Sequence, residues 1–198
     1  MYRKSFLSAE NHVADIRRFP VLHAYSLYKA GNMADTYEER KGVAVENRRN
    51  FLRKAGFQDY KIVRAIPQHG CKIGFVGRRD EGKKIPCDGL ITTDPTVALT
   101  MCVGDCYPVI VTTPQRVPLM LLHIGAKNAA DSFIDTALAG LRQRFGISPD
   151  RLIVGIGPGI CADCYDVEWI RAQYGMRKDW EPFLWRDANG RKPHCDLR

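Results

Sequence analysis

His69, Cys106 and His123 are the residues in this chain whose types and placement could do chemistry together. Two imidazoles and one thiolate are good zinc ligands, and three protein ligands leave the fourth tetrahedral position open to a reactant. An open position points to catalysis rather than to a purely structural metal. Taken singly, each residue has a blander reading. A lone cysteine beside strands is usually a small buried hydrophobe, and a lone histidine is usually a satisfied structural one. The case for a shared ion is that all three stand at strand ends. Gly104, Asp105 and Pro108 place Cys106 at the exposed end of a strand, where a metal or an imidazolium could stabilise its thiolate.

The elements that must position them follow from apolar runs and turn residues. Asp88–His123 reads as two or three buried strands that carry Cys106 and His123 to the rim of a sheet, with Val97–Val103, Val109–Thr113 and Leu119–Ile124 as its apolar runs. Lys61–Ile66 is a strand closed by Pro67. Gln68-His69-Gly70 therefore falls at a strand-to-turn junction, where Gly70 permits a tight backbone path. Cys71–Val76 is the next strand, and GRRDEGKK after it a solvent-facing loop.

Val43–Ala55 has helical spacing, with Ala44, Phe51, Leu52 and Ala55 on one side and Gly56 placed to end it. Lys127–Phe145 reads as one helix with Phe133, Ile134, Ala137, Leu138, Leu141 and Phe145 as its buried stripe and Gly146 as its stop. Arg151–Ile156 is a strand leading into the stiff loop GPGI, and His23–Tyr28 a short strand followed by a loop. Residues 1–20 read as a loose leader or an edge strand, and no order is legible after Trp169.

Composition bounds the class. Of the 198 residues, 45% are hydrophobic and 26% charged, the balance of one globular domain rather than a disordered or fibrous chain. The net charge of +8 is concentrated at the amino-terminal end, with +6 over residues 1–64 and +1 in each of 65–150 and 151–198. A solvated basic face accounts for this, and no aromatic-plus-basic repeat supports a nucleic-acid partner. The odd count of seven cysteines and an opening MYRKSFLSAENH without an apolar core suggest a reduced, cytoplasmic setting. No apolar stretch reaches the ~20 residues of a membrane helix. Cys161 and Cys164 form one C-x-x-C pair, a pattern of redox or half-zinc sites that, without a second pair, reads as core or loop packing. His12, His23 and His194 have no ligand-like company.

The segments PQHG (67–70), DGLITTDP (88–95), GDCYP (104–108), HIGAK (123–127) and IGPGICADCYDV (156–167), in that order and spacing, resemble the laccase-domain family. Its members are also called polyphenol oxidase-like or purine nucleoside phosphorylases, and a peptidoglycan-editing role has been proposed for some. The resemblance covers His23 to Trp169, and PHCDL near the end is similar to the family's later His-x-Asp-Leu. It implies a single α/β (α+β) domain over 1–198, built of layered mixed β-sheets flanked by helices, with zinc held by His69, Cys106 and His123. The implied activity is phosphorolysis of adenosine, inosine or methylthioadenosine to a base and ribose 1-phosphate, with some adenosine deamination. Its partners would be a purine nucleoside and phosphate.

Within that expectation Lys127, with Lys29 or Arg48, attracts the anion, and Asp105 or Asp88 orients a ligand or relays a proton. A His₂Cys set suits copper as well as zinc. A four-copper oxidase also needs a histidine-rich trinuclear cluster, and five histidines in all exclude it. The chain departs from the family pattern at Tyr28, where the family carries arginine, and at Ala126 and Lys127, where it carries Trp-Arg. Exchanging a bidentate guanidinium for a point charge weakens an anion grip. Two other functions fit the same residues: a cysteine-type hydrolase with Cys106 as nucleophile, and a zinc-stabilised binding module that lost turnover.

Overall fold

Alternating apolar residues on β9 (Tyr107–Thr112) and β10 (Leu119–Ile124) make the central sheet two-faced. Met120, Leu122 and Ile124 point to one side with Val111, while Leu119, Leu121 and Ile110 point to the other. Two layers of apolar packing must therefore cover it, and they do. Helix α3 (Phe133–Phe145) packs Phe133, Ala137 and Leu141 on the first face. Ala14, Ile16 and Tyr25 cover the second, from β2 (Val13–Ile16) and β3 (Tyr25–Ser26), which pair with β1 (Leu7–Glu10) in a three-stranded antiparallel sheet.

The computed structural model describes residues 7–10, 13–34, 41–166, 168, 171–172, 175, 180, 184–186 and 193–195. The central sheet has the order β11-β9-β10-β7-β5, with β5 at Ile73–Phe75, β7 at Gly89–Thr92 and β11 at Ile153–Ile156. All its pairings are antiparallel except β5 with β7. A second sheet, order β6-β4-β8, is wholly parallel and joins β4 (Lys61–Ile66), β6 (Lys84–Pro86) and β8 (Val97–Thr100). Val63, Ala65, Cys87, Leu90 and Val97 form its core. Strands β12 (Leu184–Arg186) and β13 (Pro193–Cys195) pair antiparallel. The result is the mixed α/β single domain expected, and among the described residues no helix is long and apolar enough to cross a membrane.

β4 and β10 have the bounds read from sequence; other elements differ. The run from Asp88 to His123 holds four strands rather than two or three, because Thr93–Thr96 turns the chain from one sheet into the other. Only Tyr25–Ser26 is strand in His23–Tyr28, since His23 instead accepts the Ile16 N–H at 2.7 Å and faces the Val21 carbonyl at 2.8 Å. Ile73–Phe75 is shorter than Cys71–Val76, and the loop after it contains a 3-10 turn at Arg78–Asp80 before β6. In 1–20, Leu7–Glu10 and Val13–Ile16 are strand.

Helix α1 (Lys41–Lys54) buries Ala44, and Gly56 follows it with φ 82°. The helix expected over Lys127–Phe145 is two: α2 (Ala126–Ala130) and α3. They are separated by Asp131 and by Ser132, whose left-handed φ of 57° turns the chain. A left-handed non-glycine costs about 1–2 kcal/mol, and here it redirects the chain so that Phe133 enters the core while α2 stays at the sheet rim. The stripe is correspondingly narrower, with Ile134 48% exposed and Phe133 fully buried. Phe133→Ala should cost about 3–5 kcal/mol and Ile134→Ala about 0.5 kcal/mol or less. Urea denaturation of the two variants checks this, and equal losses would contradict the split helix.

Candidate metal centre

Strand register assembles the site. His123 lies opposite Pro108, two residues beyond Cys106, and Leu122 lies opposite Gly89, next to Asp88. One edge of the central sheet therefore carries the end of β10 and the starts of β9 and β7. The turn leaving β4 brings His69 to the same edge. His69 itself takes the left-handed conformation there, φ 55°, and not Gly70 as the sequence suggested.

Asp88, with no exposed surface, holds this turn in place. Its carboxylate accepts the backbone N–H groups of Gln68 at 3.1 Å, His69 at 2.8 Å and Gly70 at 2.9 Å. It also bonds His123 Nδ1 at 2.9 Å. A carboxylate only accepts, so Nδ1 carries the proton and Nε2 presents its lone pair, the arrangement that orients metal-ligating histidines. Asn128 of α2, also fully buried, ties the remaining loops. Its amide donates to the carbonyls of His123 at 2.8 Å and Gly70 at 3.3 Å, and its oxygen accepts the Gly125 N–H at 2.8 Å. Sequence reading missed Asn128. The available signal was its place three residues after the helix-capping Gly125, where a polar side chain can reach back to the cap.

Ligand atoms of His69, Cys106 and His123 lie within 4.8 Å of one another, and the two imidazole rings meet edge to face at 4.9 Å. A tetrahedral zinc with bonds of about 2.0–2.3 Å sets its ligands roughly 3.5 Å apart, so side-chain adjustment of about 1 Å closes the set. Gly125 gives the room: a Cβ there would stand 2.8 Å from Cys106 Sγ and 3.3 Å from His69 Nδ1. Without a cation, burial pushes the Cys106 thiol up to about 11, with Asp105 and Asp88 adding to the rise. Burial also lowers His123, although the bond to Asp88 opposes it, so its imidazole is kept neutral as ligation requires. The donor set and its lining fit one soft-to-borderline cation.

The three residues line a cavity of about 360 Å³ together with Arg64 and Tyr165. An adjoining cavity of about 820 Å³ shares Arg64 and Asp105 with it. Asp105 is exposed at this shared wall, whereas Asp88 is sealed behind His123 and lines neither cavity. Lys127 is paired with Asp131 at 2.8 Å and lines neither; exposed Lys29 also lies outside both. Tyr28 and Arg48 line the larger cavity, Arg48 donating to the Met33 carbonyl. Arg64, 7% exposed, was missed, although a charge between the apolar residues of KIVRAI marked it. His12 and the Asp-Leu of PHCDL lie outside the described residues.

The model of a family described as multi-copper polyphenol oxidoreductase laccase matches residues 21–198. The chain belongs to that family. It is 24% identical over 172 residues to a purine nucleoside phosphorylase of Streptomyces coelicolor, covering 86% of this chain and 69% of the relative. It is 29% identical over 177 residues to one of Deinococcus radiodurans, covering 86% and 64%. The crystal structure of YlmD from Geobacillus stearothermophilus superposes with a TM-score of 0.71 at 26% identity, covering 84% of this chain and 65% of that one. The chain thus spans just under two thirds of the last two proteins. A relative named adenosine deaminase RL5 is 22% identical over 86% of this chain and 69% of its own. Among the described residues the His/Cys/His group is the one cluster able to hold a metal.

If Asp88 organises this edge, Asp88→Asn should lower stability by about 3 kcal/mol, because an amide cannot accept every N–H now aimed at the carboxylate. Asp105→Asn, on the exposed wall, should change it by about 0.5 kcal/mol or less. Matched urea midpoints for the two variants would contradict that role.

Proposed function

We propose that this chain is a zinc-dependent purine nucleoside phosphorylase acting on adenosine, inosine or methylthioadenosine, with adenosine deamination as a side reaction. The observation that carries the reading is the convergence of His69, Cys106 and His123 within 4.8 Å at a cavity wall. Relatives named for phosphorolysis and deamination support it. The cavity's size, about 360 Å³, falls in the range of about 300–1,000 Å³ typical of small-molecule sites.

Bound by these three side chains, a zinc ion would supply Lewis-acid polarisation next to the substrate. The chain's own residues supply the rest. In phosphorolysis an oxygen of phosphate bonds to the sugar's anomeric carbon as the carbon–nitrogen bond breaks, and the departing base takes the bond's electron pair and then a proton. The transition state is oxocarbenium-like, so holding phosphate and sugar in line is the main task. Arg64 offers a cation at the wall for phosphate, and Asp105 a carboxylate near the space a sugar or base would fill. Asp88 acts through His123 and the His69 turn rather than on the substrate.

A nucleophilic Cys106 is disfavoured by the direction of its ionisation. Cysteine hydrolases need a depressed thiol beside a protonated histidine, whereas here burial raises the thiol and lowers His123. The binding-module reading draws support from Lys127, which is held by Asp131 outside the cavities.

Purified protein should carry one zinc per chain and release base from inosine or adenosine only when phosphate is present. His123→Ala should lose metal affinity and turnover by at least about 100-fold. Zinc-loaded protein without nucleoside turnover would leave the binding module, and full activity in chelator would return the cysteine hydrolase. Since the Cys106 thiol is held near 11 and must ionise to ligate, zinc binding at pH 7.5 should release about one proton from it. Affinity should then rise about tenfold per pH unit in this range. Calorimetry in buffers of different ionisation enthalpy measures the proton count, and none released would exclude Cys106 as a ligand.

A further inference from the structure

Cys161 and Cys164 are used by neither the metal centre nor the core. Both are exposed, which sets aside the core packing that the lone C-x-x-C suggested. Cys161 caps and Cys164 ends the 3-10 turn Ala162–Cys164, with their sulfurs 3.0 Å apart in an S–H···S hydrogen bond. The turn is closed by the Cys164 N–H donating to the Cys161 carbonyl at 3.0 Å. Turns of this kind hold their end Cα atoms within about 7 Å, the span a disulfide bridges at about 4.4–6.8 Å.

The two thiols are also unequal. The bond with Cys164, aided by backbone N–H groups of Cys164 and Asp163, lowers the Cys161 thiol, while Cys164 is raised. One activated and one resolving thiol is the division of labour in dithiol exchange. Cys71, Cys87 and Cys106 differ on both counts, being at least partly buried and shifted upward by that burial.

The turn is anchored at both ends to the site wall. Ile160, just before Cys161, donates to the Asp105 carbonyl at 2.8 Å and accepts from the Tyr107 hydroxyl at 2.5 Å, bracketing Cys106. Tyr165, just after Cys164, is buried against Ala126 and Trp180 and lines the smaller cavity. Such anchoring keeps the sulfurs together in the folded protein, so that closing the bridge needs little reorganisation.

We propose that Cys161 and Cys164 form a redox-active dithiol that exchanges with low-molecular-weight disulfides. The Cys161 thiolate attacks one sulfur of the small disulfide, breaking its S–S bond and forming a mixed disulfide; the first small thiolate leaves and takes the proton Cys161 shed. The Cys164 sulfur then gives up its proton and attacks the Cys161 sulfur, expelling the second small thiolate, which takes that proton. The pair is oxidised by two electrons, and the small disulfide is reduced to two thiols.

The full chain, equilibrated in glutathione buffers of graded ratio, acid-quenched and alkylated, tests this by peptide mass spectrometry. Expected are a reversible loss of two alkylatable thiols with a 161–164 bridge, a two-electron transition, and trapping of one glutathione on Cys161 in Cys164→Ser. Brief iodoacetamide treatment at neutral pH should label Cys161 ahead of Cys71, Cys87 and Cys106. A bridge to Cys195 or another cysteine, glutathione retained on the wild-type pair, no oxidation in the most oxidising buffer, or slow labelling of Cys161 would each overturn the proposal. Cys164→Ser changes an exposed side chain, so its folding is checked by an unchanged urea midpoint.

Discussion

A single buried carboxylate bears on every part of the candidate centre. Taking Asp88 out of water costs several kcal/mol, and the left-handed His69 adds about 1–2 kcal/mol. Hydrogen bonds to a charged group contribute about 1.5–3 kcal/mol each, and Asp88 receives them from three successive backbone N–H groups and from His123. The costs are offset only when all donors converge. The turn after β4, the start of β7 and the end of β10 are thus held to one another, and the same group orients the His123 imidazole and fixes the backbone of His69. Asn128 repeats the device with neutral partners from the other side.

This dependence explains what the sequence revealed and what it hid. β4 and β10 were legible to the residue because apolar runs between Pro67 or turn residues leave little freedom, and Cys106 and His123 followed as strand ends. The α2–α3 break was hidden because it rests on one serine adopting a conformation that spacing cannot reveal. His23–Tyr28 looked like a strand, yet His23 is committed to a bond with the backbone of Ile16. Asn128 and Arg64 were hidden for a related reason: each is a polar residue whose burial is decided by distant partners.

The family's copper-oxidase description and its relatives' phosphorylase names pull in different directions, and the proposed phosphorolysis follows the second. One cluster of three ligands beside a partly apolar cavity has no second group of histidines among the described residues with which to share oxygen chemistry. What the cluster does have is a neutral imidazole, a thiol whose ionisation is disfavoured by burial, and a wall open to a small molecule. Those features support the Lewis-acid role proposed for an ion bound there.

The placement of positive charge sharpens this. Lys127 is drawn one turn along its helix to Asp131. Arg64 instead comes through the parallel sheet from β4 and reaches the wall shared by both cavities. Arg64 is buried between Val63 and Ala65 of its strand, whereas the Lys127 side chain is partly exposed, so the strand-borne cation is held more rigidly. Under the proposed phosphorolysis, a phosphate would be met by Arg64 at that shared wall rather than by Lys127, which lines neither cavity.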